Sequence, residues 1–244
     1  MTETTAHDRL MQCISKWMAD LNDYPGWREW GRRKIAKTIR FGEPDSGSPE
    51  PELEDFVFSD QVDAQHAVIY GYLSIMATVH STQNLEFYFR RYPFRNLPVS
   101  KHEHLSNACE MYFSRFYEFR ERARNLLNAV NKTASGRRID VGAFMKSYDK
   151  IYDSELRARH GVHHRDRFDD IQINKVWLTQ LVGEGDRESR GWESEHRSTY
   201  RAASREWAER VKRRGADLEQ TTEAIAQAIL DCCPFVVTGD TDPV

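Results

Sequence analysis

One stretch of the chain constrains the fold more than any other, because its apolar residues recur at alternating intervals of four and three over 26 residues. The members of this stripe are Leu105, Cys109, Tyr112, Phe116, Phe119, Ala123, Leu126 and Val130. Side chains at this spacing lie along one face of an α-helix. An apolar stripe of such length predicts a helix that packs against other helices along its whole extent.

Further segments with helical spacing lie on both sides of the stripe. Helices are predicted at about residues 7–21 and 59–91, in a segment that begins at Ile139, and from about Ser194 to a stop at Pro234. No segment has the clear two-residue alternation of a strand. The sequence therefore predicts an all-α protein, a helical bundle of five to six helices.

The start of the central helix is marked by a second signal. Pro93 and Pro98 interrupt the preceding helical pattern, because proline removes a backbone donor. Ser100 follows, with Glu103 three residues later, which is the spacing of a capping box. The central helix is therefore expected to begin just after Ser100.

Composition changes clearly at one place, where Pro, Gly, Ser and acidic residues dominate residues 42–58. Such a stretch is typical of a linker. The predicted organisation is an N-terminal helical arm (1–41), this linker, a helical domain (59–233) and a flexible tail (234–244). The boundaries follow from composition and from helical spacing alone.

Bulk composition excludes several classes of protein. With 39% hydrophobic and 30% charged residues the chain suits a folded domain, and its net charge of −3 argues against a role in coating nucleic acid. No apolar run approaches the ~18 residues that span a bilayer, and the first residues lack a leader pattern, so a cytoplasmic protein is expected. The four cysteines form no C-x-x-C pair and are predicted to be reduced, mostly buried thiols.

The most unusual chemistry lies in residues 157–168, "RARHGVHHRDRF". Seven of these twelve side chains are Arg157, Arg159, His160, His163, His164, Arg165 and Arg167. Arginine offers a planar fork of donors that fits phosphate oxygens, and histidine exchanges a proton near neutral pH. Together these groups suit metal-independent cleavage of RNA, whose 2′-hydroxyl supplies its own nucleophile. No metal or other cofactor is expected.

Within this segment, Arg159 to His164 reads R-H-G-V-H-H and resembles the R-x(4–6)-H motif of the HEPN superfamily. A polar residue, most often Asn, follows the arginine in that motif, and His160 occupies the position here. The setting agrees, since a long helix with an aromatic stripe precedes a helix that carries the motif. The resemblance covers roughly residues 60–230.

The resemblance implies an α-helical, HEPN-like domain that is usually a homodimer. Many members of the family are ribonucleases of toxin–antitoxin or other defence systems, in which the Arg and His of two protomers form one composite site. By this resemblance Arg159 would stabilise the scissile phosphate and His164 would act as general acid or base. His160 would orient the site, and the remaining RNA contacts would come from Arg157, His163 and Arg165. Two assignments stay open, because Arg157 competes with Arg159 and His163 competes with His164.

Other interpretations of the cluster are a solvated, ion-paired helix face, or a non-catalytic HEPN-like scaffold that binds RNA, a nucleotide or a protein partner. A subunit neutralised by an antitoxin is a further alternative. A zinc site using His160 and His164 is disfavoured, because no H-E-x-x-H motif or cysteine pair completes the ligands. The basic stretches 27–40 and 90–95 are weaker candidates for nucleic-acid contact. Residues 209–215 are interpreted as a solvated helix face.

Overall fold

The computed structural model describes residues 4–39, 54–94, 97–164, 170–185 and 190–238, and every regular element within these ranges is a helix. The all-α prediction is therefore confirmed. Nine helices occur there: α1 (Ala6–Leu21), α2 (Trp27–Ile39), α3 (Asp60–Arg90), α4 (Lys101–Thr133), α5 (Val141–Ile151), α6 (Asp153–His164), α7 (Ile171–Gly185), α8 (Arg190–Cys232) and α9 (Pro234–Thr238). Most of the predicted linker lies outside the described residues.

Helices α1 and α4 each begin with a capping box. At α1 the Thr5 hydroxyl accepts from the backbone N–H of Asp8 while the Asp8 carboxylate accepts from the backbone of Thr5. At α4 the predicted capping box is confirmed, because Ser100 and Glu103 exchange the same pair of bonds at 3.1 and 2.7 Å. Each box satisfies N–H groups that a helix start otherwise leaves without partners.

The number of helices exceeds the expected five or six because several of them are short. A helical pattern that reads as continuous after Ile139 is divided at Tyr152 into α5 and α6. Helix α7 was not predicted, and its exposed apolar residues obscure the helical period. Pro234 ends α8, as predicted, and occupies the first position of α9, where its missing N–H costs no helical bond.

The chain divides into two compact units. Unit 1 comprises residues 1–70, 129–139 and 223–244, and unit 2 comprises residues 71–128 and 140–222. The long helices α3, α4 and α8 each contribute a segment to both units. The motif helix α6 belongs to unit 2.

Unit 1 buries the apolar face of α1. Leu10, Ile14 and Trp17 are buried, and the Trp17 indole N–H donates to the Gln65 side chain at 2.8 Å. The carboxylate of Glu223 accepts from the first backbone N–H groups of α1, at Ala6 (2.5 Å) and His7 (3.0 Å). An anion at this end of a helix is stabilised by the helix dipole.

Unit 2 is built on the aromatic part of the predicted stripe. All eight stripe residues are at most 1% exposed, which confirms the predicted packing of α4 on other helices. The ring of Phe119 stacks on Tyr148 of α5, and Tyr112 and Phe113 meet Trp207 of α8 edge to face. These aromatic contacts hold α4, α5 and α8 around the place where α6 begins.

Candidate anion site on helix α6

The predicted site falls on α6, and the structure describes it in part. The backbone of α6 extends to His164, but the side chains of His160, His163 and His164 lie outside the described residues, as does Arg165. The side chains of Arg157 and Arg159 are described. The proposed pairing of Arg159 with His164 therefore stays a prediction.

Arg159 packs on an aromatic ring. Its guanidinium carbon lies 3.6 Å from the centre of the Tyr117 ring on α4, which is a close cation–π contact. Its Nε is buried and has no hydrogen-bond acceptor within the described part of the chain. No ion pair joins Arg159 to a carboxylate among these residues. A buried donor without an acceptor is costly, and Arg159 shares this feature with Arg115 among the described residues.

Arg157 has a different environment two residues earlier. Its side chain is 80% exposed, and its Nε donates to the Asp153 carboxylate at 2.8 Å, one turn back along α6. An ion pair this exposed contributes little to stability. It nevertheless engages the Nε donor of the Arg157 guanidinium. This difference favours Arg159 over Arg157 as the arginine that meets a phosphate.

The start of α6 is fixed by a buried carboxylate. Glu155 is 1% exposed. One of its oxygens accepts from Arg210 (3.0 Å) and from the Tyr112 hydroxyl (3.2 Å), while the other accepts from Arg214 (3.1 Å) and Ser154 (2.7 Å). We call Glu155, Arg210 and Arg214 the buried ion cluster. It ties α6 to α8 one helical turn before Arg159.

Electrostatics within this cluster favours the charged carboxylate. Burial by itself raises the pKa of Glu155, but the hydrogen bonds from Ser154 and Arg210 and the positive charges of the two arginines outweigh it, so the net pKa is lowered. Burial, reinforced by the charge of Glu155, raises the pKa of Tyr112, so its hydroxyl stays protonated as a donor. The cluster is therefore ionised at neutral pH.

The cluster also sets the direction of α6. Tyr152, just before α6, lies opposite Thr221 of α8 at 3.2 Å between hydroxyl oxygens, while Glu155 lies opposite Arg210 and Arg214. Advancing along α6 thus corresponds to moving back along α8, so the two helices run antiparallel. The motif end of α6 points toward the N-terminal half of α8.

Sequence reasoning missed the buried ion cluster. The interpretation of residues 209–215 as a solvated face is wrong for Arg210 and Arg214, which contact a buried carboxylate, although Lys212 and Arg213 are exposed. One signal was present, since these arginines flank the buried positions Trp207, Val211 and Leu218 on α8. Glu155 had no signal, because its arginine partners are more than 50 residues away.

The same described ranges hold no group of three or more histidine, cysteine or carboxylate side chains placed to bind a metal ion. Three of the four thiols are buried and Cys13 is half-buried, all of them unpaired, as predicted. Among the helices described, none combines the length and apolarity that crossing a membrane requires.

Comparison with known proteins gives no relative. No protein-family model, no curated protein and no solved structure matches the chain.

Proposed function

We propose that the chain is a metal-independent endoribonuclease of the HEPN type, with its site at the C-terminal half of α6. One observation carries this proposal: Arg159 is held on the Tyr117 ring with a buried Nε that has no acceptor among the described residues. An arginine fixed in this way presents its fork to a phosphate without first breaking an ion pair. The R-H-G-V-H-H motif places histidines within the next turn.

In the proposed reaction a histidine removes the proton of the RNA 2′-hydroxyl, and the resulting oxygen attacks the adjacent phosphorus. The bond to the 5′-oxygen breaks, and that oxygen takes up a proton, leaving a 2′,3′-cyclic phosphate and a 5′-hydroxyl. Arg159 stabilises the charge that develops on the phosphate. His164 transfers protons, His160 orients the site, and Arg157, His163 and Arg165 hold the RNA.

The proposal includes a homodimer, for a geometric reason. Arg159 and His164 are five positions apart, so their side chains leave an ideal helix ~140° apart. Two α6 helices that meet across a twofold axis would place the arginine of one protomer near the histidine of its partner.

The test is RNA cleavage in EDTA by the purified protein beside Arg159→Ala and His164→Ala variants. The expected result is cleavage by the parent protein and a loss of about 10²-fold or more in each variant. Arg213→Ala is the matched control, since Arg213 is exposed on α8 and the same charge is removed. Circular dichroism would establish that each variant is folded.

Two further variants make the test sharper. Arg159→Lys keeps the charge but loses the planar fork, so cleavage is expected to stay low. Arg157→Ala separates the two competing arginines and is expected to weaken RNA binding while reducing cleavage less than Arg159→Ala does. Unchanged cleavage in both Arg159→Ala and His164→Ala would contradict the assigned roles. A folded parent protein that binds RNA without cleaving it would instead identify a non-catalytic scaffold.

A further inference from the structure

A second concentration of positive charge lies on α8, also within unit 2. Arg197, Arg201 and Arg205 follow each other at intervals of four residues, so they line one face of the helix. We call these three residues the arginine track. They border an open recess together with Ser194, Ser198 and Ala202, whose small side chains leave space between the guanidinium groups.

The track differs from the exposed arginines that have a close carboxylate partner. Arg28, Arg33 and Arg157 each lie within 3.0 Å of a carboxylate. Over the described ranges, neither Arg201 nor Arg205 has a carboxylate partner, and Arg197 reaches Glu193 only at 3.9 Å. Like charges four residues apart on a helix repel each other. A row of exposed cations without neutralising partners is the arrangement expected where an anionic ligand supplies the missing charge.

Contacts between α3 and α8 lie on the C-terminal side of the track. Gln83 of α3 donates to Glu219 at 2.6 Å, and Arg90, the last residue of α3, donates to Glu209 at 3.1 Å. Glu209 is four residues after Arg205, so α3 ends one turn of α8 beyond the track. Arg201 and Arg205 are exposed, while Tyr92, just beyond α3, lies against Tyr200 of α8.

The dimensions and the lining favour a chain of phosphates. Three arginines at four-residue spacing cover about 12 Å of helix axis. A stacked nucleic-acid strand has a phosphate about every 3.4 Å, so it presents three or four phosphates over that length. Among the described residues, the lining includes no large apolar side chain that would anchor a peptide or the acyl region of a membrane.

We propose that the arginine track binds the phosphate backbone of a single-stranded nucleic acid. The arginine forks contact successive phosphates. Because they make no contact with the base edges, binding depends little on sequence. The track consists of α8 residues only, and the proposal does not rest on the proposed nuclease activity.

The experiment measures binding of fluorescein-labelled, fully 2′-O-methylated oligouridylate by anisotropy over a range of salt concentrations. The methylated probe cannot be cleaved through its 2′ oxygen, so the result is independent of the nuclease proposal. Each lost phosphate contact reduces the slope of log affinity against log salt by about 0.7 for a single strand. Arg201→Gln/Arg205→Gln is therefore expected to reduce the slope by about 1.4 and to weaken binding at least tenfold at low salt.

The matched control is Lys146→Gln/Arg213→Gln, which removes two exposed cations elsewhere in unit 2 and is expected to leave the slope unchanged. An oligothymidylate probe distinguishes DNA from RNA as the source of the backbone, and track-dependent binding of either supports the proposal. Equal losses in both double variants would overturn it. So would track-dependent binding of an acidic peptide or anionic vesicles with no binding of either oligonucleotide.

Discussion

Two groups of arginines at four-residue spacing lie on the same helix and have opposite environments. In the buried ion cluster, Arg210 and Arg214 surround the carboxylate of Glu155 at 3.0 and 3.1 Å. In the arginine track, Arg201 and Arg205 are exposed and have no carboxylate partner among the described residues. Arginine spacing alone therefore does not distinguish an arginine with a structural role from one that is available to bind a ligand. The distinguishing feature is whether another helix supplies a carboxylate partner.

The largest expected effect comes from breaking the buried ion cluster. Glu155→Ala leaves two partly buried arginines without their carboxylate and Tyr112 without its acceptor. Removing one member of a buried ion pair is strongly destabilising, and because the arginine side chains keep 32 and 23% exposure we expect a loss of about 2–3 kcal/mol in the free energy of unfolding. Chemical denaturation measures this change. A loss as small as that of a surface substitution would contradict the role given to the cluster.

The next effect is a dependence of stability on pH. The folded pKa of Glu155 lies below its ordinary value of 4.5, so its contribution is present above that value and is lost as the pH falls through the folded pKa. We expect the free energy of unfolding to decrease below about pH 4.5, and part of the decrease to disappear in Glu155→Gln. Denaturation curves over a pH series test this. Identical pH profiles for the parent protein and the variant would show that Glu155 does not titrate in this way.

A smaller effect is expected at the edge of the cluster. Tyr112→Phe removes one hydrogen bond to Glu155, at 3.2 Å, while the carboxylate keeps its arginine and serine donors. The expected loss is about 1 kcal/mol, the usual net contribution of a hydrogen bond. The comparison is Tyr148→Phe, which removes a buried hydroxyl that donates instead to the Phe116 carbonyl at 2.8 Å. Only Tyr112→Phe should change the pH dependence.

The smallest effect on stability is expected in the arginine track. Arg201→Gln removes a like-charge neighbour of Arg197 and Arg205, so the free energy of unfolding should stay the same or rise by about 0.2–0.5 kcal/mol at low salt. Thermal denaturation at low and high salt measures it, since salt screens the repulsion. A clear destabilisation would show that Arg201 has a structural partner and would weaken the comparison with Arg210.

Periodic features were predictable from the sequence, and long-range pairs were not. The stripe from Leu105 to Val130 and the Ser100 cap depend on neighbours within a helix, so local spacing reveals them. The contacts of Glu155 with α8 and of Arg159 with Tyr117 join residues that are more than 40 positions apart. No local pattern specifies which carboxylate an arginine contacts. The sequence therefore could not predict which arginines of α8 form ion pairs and which are exposed.

The break between α5 and α6 shows a related limit. The helical period continues through Tyr152, which is itself buried, so the apolar pattern contains no interruption. At the break, Tyr152 makes tertiary contacts: its ring lies tilted against Phe116 and its hydroxyl lies 3.2 Å from that of Thr221. The composition of residues 157–168 revealed the motif. The orientation of α6, which carries it, depends on this break and on the contacts of Glu155.

The bonds from the start of α1 to Glu223 have a consequence for biosynthesis. The first residues of α1, Ala6 and His7, bond a carboxylate 217 and 216 positions later, and unit 1 combines residues 1–70 with residues 129–139 and 223–244. A ribosome must therefore translate past Glu223 before these bonds can form. Until then α1 exposes its apolar face in the nascent polypeptide.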